Sequence, residues 1–397
     1  MDEHDNPFAP GAGTPPPELA GRDEILADAR TTIRRVQAGR AFKSFIFIGL
    51  RGVGKTVLLN KVQSIAEELG CKSVHVEAHD GKKLPELLAP PLRAILLDLD
   101  RLGKATDVTK RGLRVLRSFL GSLKVKYEGV ELGIDPEAGT ADSGDLEADL
   151  TELLVALGNA ARASEKAIVI TIDELQYLSE IELSALIMAL HRISQKSLPV
   201  LLVGAGLPQI VGQMGESKSY AERLFDFPVT GPLSKKDATA ALRGPIEKEG
   251  ARIEGAAIDE ILRVTEGYPY FLQEWGYQSW NMTLKSPISA ADVKAASVVA
   301  TKRLDGGFFR VRFDRLTPRE KDYLRAMAEL GPGPHRSGDI AEILGVKVES
   351  VAPLRSGLIR KGMVYSPQHG DTAFTVPLFD HYMKRVMPKL PKPRTKK

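Results

Sequence analysis

Eight residues, GLRGVGKT from Gly49 to Thr56, restrict this chain more than any other stretch. They fit the spacing G-x-x-x-x-G-K-[ST], with an apolar run (residues 44–48) before them and a helical pattern (residues 56–68) after. Glycines let such a loop turn tightly between a buried strand and a helix, so that several main-chain N–H groups aim at one anion. The positive end of the following helix adds to that field. The expectation is a phosphate cradle made of Gly49, Arg51, Gly52, Val53, Gly54, Lys55, Thr56 and Val57. Lys55 would reach the β- and γ-phosphates of a nucleotide, and the Thr56 hydroxyl would ligate Mg²⁺.

The surrounding pattern fits the sheet that such a loop requires. Short apolar runs at residues 44–48, 73–76, 167–172 and 200–203 alternate with helical patterns at 56–68, 84–98, 146–163 and 181–194. The alternation predicts parallel strands with helices on both faces. The runs are apolar throughout, as strands buried on two sides should be. The third run, in AIVITIDELQYL, ends in Asp173 and Glu174 at a strand's carboxyl end, where open α/β sheets place ligands. Asp173 is expected to hold magnesium with Thr56, and Glu174 to orient or deprotonate an attacking water. The 118 residues from Lys55 to Asp173 make a long interval. Residues 104–145, first basic and then acidic and glycine-rich, account for it as an expected surface insertion.

Composition excludes several classes. The longest apolar runs are too short to span a bilayer, and MDEHDNPF lacks the order of a secretory signal. The one cysteine, Cys71, forms no internal disulfide, which makes a cytoplasmic setting the expectation. His75, Glu77 and His79 share a strand face but read as sheet-margin polarity, not as a metal site. The net charge of +4 divides unevenly: residues 315–397 carry 16 Lys+Arg against 8 Asp+Glu, leaving −4 elsewhere. Much of the excess lies in the tail KRVMPKLPKPRTKK, which has seven basic residues and no acidic one.

With GRDEIL, GLRGVGKT, VITIDE and a helical stretch after the sheet, the chain resembles the AAA+/STAND group of ATPases. Within that group it is similar to replication-initiator (origin-recognition-like) and archaeal-type ATPases, over about residues 19–385. The resemblance implies ATP as the nucleotide, with Mg²⁺. It also implies that Gly21 and Arg22 lie near the adenine, that Pro269 in GYP lies against the nucleotide, and that Arg223 acts on a neighbour's nucleotide. Two departures weigh on rate. VLLVGAGLPQ offers Gly204, Ala205 and Gly206 where many relatives carry a polar sensor, leaving Gln209 as the nearby candidate. The helical stretch also lacks a sensor arginine. Only contacts that strengthen in the transition state accelerate chemistry. Slow hydrolysis by the lone chain is therefore expected, increased on self-assembly or partner binding.

The expected organisation is an α/β P-loop domain at 21–233, preceded by a flexible arm at 1–20. A helical lid at 234–310, a winged helix at 315–387 and a basic tail at 388–397 follow. In the winged helix, Ser350 is expected to cap the third helix, with Pro353 in its first turn. Leu354, Leu358 and Ile359 would face the core, while Arg355, Arg360 and Lys361 would meet nucleic acid. Double-stranded DNA is the expected partner, together with a nucleotide-dependent homo-oligomer or a partner protein, and no membrane. The alternative is a STAND-like signalling or scaffold ATPase whose winged helix grips protein.

Overall fold

The structure, a computed structural model, describes residues 1–11, 13–103, 106–123, 135–368 and 370–390. Parts of the expected insertion (104–105 and 124–134), His369 in the expected wing turn, and residues 391–397 of the basic tail lie outside the described residues. Contacts divide the chain into two units: Asp23–Ile48 with Lys55–Val229, and Met1–Arg22 with Gly49–Gly54 and Thr230–Lys397.

The first unit is built on five parallel strands, β1 (Ser44–Ile48), β2 (Lys72–Glu77), β3 (Ile168–Asp173), β4 (Val200–Gly206) and β5 (Phe225–Asp226), in the order β2-β3-β4-β1-β5. Every residue of β1, β3 and β4 is buried, which explains why none alternates in polarity. Register pairs Ile172 with Gly204 and Ile48 with Gly206, so β4 ends between the ends of β1 and β3. The helices are α1 (Asp23–Gln37), α2 (Lys55–Glu68), α3 (Leu84–Arg101), α4 (Thr106–Ser122), α5 (Leu146–Ala163), α6 (Glu180–Gln195), α7 (Ile210–Ser217) and the single turn α8 (Ala221–Leu224). Their starts are encoded locally: Asp145 accepts a bond from the Ala148 amide to cap α5. Ser179 and Glu182 form a reciprocal box that opens α6.

Within the expected surface insertion, helix α4 departs from that expectation. Helix α4 buries Leu113, Val115, Leu116 and Phe119 and packs against α3 and α5. The approach depends on Gly112, where a Cβ would stand 2.7 Å from Leu96 Cδ2. The basic residues of α4, Lys110, Arg111, Arg114 and Arg117, are exposed or half-buried on this core helix.

In the second unit, α9 (Lys235–Lys248), α10 (Gly255–Thr265), α11 (Pro269–Met282) and α12 (Ala290–Leu304) are followed by a π-helical turn (Asp305–Phe309) and α13 (Arg310–Phe313). The C-terminal part contains α14 (Pro318–Glu329), β6 (His335–Arg336), α15 (Ser337–Leu344), α16 (Ala352–Arg360), β7 (Val364–Tyr365), β8 (Asp371–Phe374) and α17 (Phe379–Val386). Its three strands pair antiparallel in the order β6-β8-β7. Phe308 and Phe309 sit in an aromatic cluster that includes Tyr270, Phe271, Phe379 and Tyr382. The N-terminal residues are not a loose arm: Phe8 is buried in this core, Asn6 bonds the Tyr277 carbonyl, and Trp280 Nε1 donates to the Asp2 carbonyl.

Candidate nucleotide site

In the first unit, the start of α2 and the end of β3 bring Thr56 and Asp173 together. Thr56 Oγ1 donates to Asp173 Oδ2 at 2.5 Å, and Asp173 Oδ1 accepts from the Glu174 amide at 2.7 Å. A hydroxyl beside a buried carboxylate is an all-oxygen donor pair suited to a small hard cation, so the residues fit Mg²⁺. Lys55, at the first position of α2, is 7% exposed, an unusual burial for a cation. Val57 follows in the first turn of α2 and is half-buried.

Glu174 has φ 54° and ψ 40°, a left-handed conformation that costs a non-glycine residue about 1–3 kcal/mol. Its carboxylate accepts a hydrogen bond from Gln176 Nε2, and Gln176 Oε1 accepts one from the Leu207 amide at 3.0 Å. Sequence reasoning missed Gln176. It stands two residues past the acidic pair in DELQ, but its partner Leu207 is on β4's far side of the chain order. Gln209, the candidate drawn from the sequence, has its Oε1 buried with no partner among the described residues. Arg223 is exposed in α8, directly before β5.

The loop Gly49–Gly54 clusters with the second unit. Gly52 and Gly54 have φ of +81° and +91°, which side-chain-bearing residues rarely adopt. A Cβ at Gly49 would stand 2.1 Å from the Thr230 carbonyl oxygen, so this position admits no side chain without moving backbone. Val53 is buried. Two main-chain bonds tie the loop to later residues: the Arg51 amide donates to the Thr375 carbonyl at 2.9 Å, and the Tyr270 amide donates to the Gly52 carbonyl at 3.1 Å. Pro269 occupies the first turn of α11 immediately before Tyr270, where its missing N–H costs nothing. Gly21 has φ +67°, and buried Arg22 donates to the Gly231 carbonyl at 2.6 Å. Burial lowers the Arg22 pKa, with Asp237 opposing the shift.

Of the three expected nucleic-acid residues, Lys361 and Arg360 are exposed and Arg355 is half-buried. Arg355 is turned onto the hairpin, donating to Thr372 Oγ1 at 2.9 Å, Ser366 Oγ at 2.5 Å and the Asp371 carbonyl at 2.9 Å. Lys361 donates to Glu320 Oε2 at 2.7 Å and the Arg315 carbonyl at 3.0 Å. Arg360 is exposed. Helix α16 starts after Val351, not at Ser350, because residues 348–350 form a separate 3₁₀ turn; Pro353 still falls in the first turn. Leu358 is buried, and Leu354 and Ile359 are packed against the same core.

Residues 18–203 match the family described as AAA ATPase domain, and residues 306–383 match a domain of unknown function (DUF8462). No sequence among the curated proteins matches the chain. Among solved structures, the Walker-type ATPase PABY2304 of Pyrococcus abyssi is similar over 94% of this chain and 98% of its own, with 16% identity and a TM-score of 0.58. The Aeropyrum pernix Orc1 protein in complex with DNA is similar over 93% of each chain (16% identity, TM-score 0.45). The Thermotoga maritima RuvB Holliday junction branch migration motor is similar over 91% of this chain and 95% of its own (16% identity, TM-score 0.44).

Proposed function

We propose that this chain, whose residues 18–203 match the family described as AAA ATPase domain, is a nucleotide-dependent ATPase working as a slow switch whose C-terminal winged helix reads the nucleotide state and binds double-stranded DNA. One observation carries the switch: the Arg51 amide bonds the Thr375 carbonyl, and the Gly52 carbonyl accepts from Tyr270. The loop that would wrap the phosphates is thus bonded through its main chain to α11 and to the residue that follows β8. Adjusting the loop to a triphosphate strains or relaxes those bonds, and the reverse holds by linkage.

In the chemistry we assign, Lys55 pairs with the β- and γ-phosphates of ATP; Thr56 and Asp173 would hold Mg²⁺, which would neutralise phosphate charge. Glu174 orients a water whose oxygen bonds the γ-phosphorus while the bridging P–O bond breaks. The electron pair leaves with ADP and the water's proton passes to Glu174. Gly21, Arg22 and Pro269 flank the nucleotide. Arg223 serves a neighbouring copy, and a supplied arginine of this kind adds a factor of ~10³–10⁵ in related chemistry. The lone chain is therefore slow, and assembly on ATP accelerates it.

A second reading, a STAND-like scaffold whose winged helix grips protein, is favoured by the internal bonds of Arg355 and Lys361, which engage two of the three cations within the unit itself. Sedimentation of the purified protein with ATP analogue or ADP, with and without duplex, separates the two. Analogue-dependent co-sedimentation with duplex at low salt supports DNA binding. Analogue-dependent oligomers indifferent to duplex support the scaffold. Identical behaviour with both nucleotides ends the switch.

A further inference from the structure

The end of β4 lacks a side chain able to touch a reacting phosphate or water, because residues 204–206 are Gly, Ala and Gly. The structure gives these glycines a reason. A Cβ on Gly204 would stand 2.4 Å from Leu175 Cδ1, and one on Gly206 would stand 3.2 Å from Gln176 Oε1 and 3.3 Å from Ile210 Cγ2. The turn after β3 occupies the space that side chains from β4 would fill. We propose that Gln176 is a positioning residue for Glu174, supplying from this turn the polar group that β4 omits.

A glutamine amide has one accepting oxygen and one donating nitrogen. The Leu207 amide can bond only the oxygen, and does so at 3.0 Å, which turns Nε2 toward the Glu174 carboxylate that accepts its hydrogen bond. Neither end of Gln176 can be flipped without losing both bonds. Glu174 itself holds a left-handed backbone, φ 54° and ψ 40°, and its carboxylate meets Gln176 within the same turn. Gln176 acts through Glu174, so its contribution is to rate and not to nucleotide affinity.

The inference rests on the ATPase reading, and the experiment separates the two. Steady-state ATP hydrolysis with Mg²⁺ is measured for the full chain, Gln176→Leu, Gln176→Glu and Glu174→Gln. Affinity for a non-hydrolysable analogue is measured by calorimetry and thermal stability by scanning. Gln176→Leu is expected to lower kcat by about 100-fold, as a misplaced catalytic group does, with KM and analogue affinity nearly unchanged. Gln176→Glu keeps the acceptor for Leu207 but replaces the donor by a like charge. It is expected to lose kcat at pH 8 and regain it toward pH 6, because a carboxyl facing another carboxylate takes up a proton and then donates. A residue that merely packs the turn would give no such recovery. Unchanged kcat in Gln176→Leu, a kcat loss matched by lost analogue binding, or a Gln176→Glu profile parallel to the unsubstituted chain overturns the inference. An unsubstituted chain that binds the analogue but hydrolyses nothing overturns the ATPase reading as well.

Discussion

Lys55 is a nearly buried cation at the head of α2, so truncating it removes the charge that the loop offers an anion. Lys55→Ala is expected to weaken ATP binding by at least ~30-fold, corresponding to about 2–5 kcal/mol for truncating one partner of a desolvated charge pair. Calorimetry reads the affinity, and an unchanged circular dichroism spectrum confirms the fold. Cys71 gives a pH prediction: burial pushes its thiol from 9.0 to about 11, with Lys166 opposing. The folded state favours the neutral thiol, so this contribution to stability is complete below pH 9 and is lost as pH rises through about 11. Iodoacetamide should label native Cys71 slowly at pH 8, faster toward pH 11, and readily once the chain is unfolded. The place of Asp173 and Glu174 at the end of β3 was legible because apolar run and acidic pair are contiguous. Gln176 was not, since its meaning depends on an amide 31 residues away.

At the scale of elements, strands and helices with strong local patterns were read closely: β1 and α5 match their expected limits to the residue. Helix α4 was misread because charge dominated its first half, while the contacts that bury Leu113 and Phe119 come from α3 and α5. The C-terminal helices illustrate the same limit. Periodicity identified Leu358 as core, but nothing local indicates that Arg355 bonds the hairpin. Arg355→Ala should destabilise the protein by about 1–3 kcal/mol in urea unfolding, through the lost bonds to Thr372, Ser366 and the Asp371 carbonyl. Arg360→Ala should leave stability within ~0.5 kcal/mol, as for other exposed positions. Under the DNA-binding reading, only the second substitution reduces duplex binding without reducing stability.

For the molecule as a whole, sequence order suggested consecutive domains, whereas contacts group residues 1–22 and Gly49–Gly54 with Thr230–Lys397. Linear reading cannot see this grouping, because it rests on contacts between residues far apart in the chain, such as Phe8 beside Gly276 and the Arg51 amide on the Thr375 carbonyl. Nucleotide should stabilise the folded chain by about 2.7 kcal/mol at one hundred times Kd, seen as a higher Tm that Lys55→Ala does not show. Deuterium exchange at the Arg51 and Tyr270 amides should change between ATP analogue and ADP; equal protection in both states would uncouple the loop from residues 270 and 375. A practical consequence follows from Phe8, whose ring fills the space left by Gly276, with Cε1 2.7 Å from where a Cβ would stand. Proline-rich leaders are routinely trimmed to obtain better-behaved samples. Here, deleting residues 1–11 would strip a plug from α11 and leave Trp280 without its acceptor, and the shortened protein should clump where the full one stays dispersed.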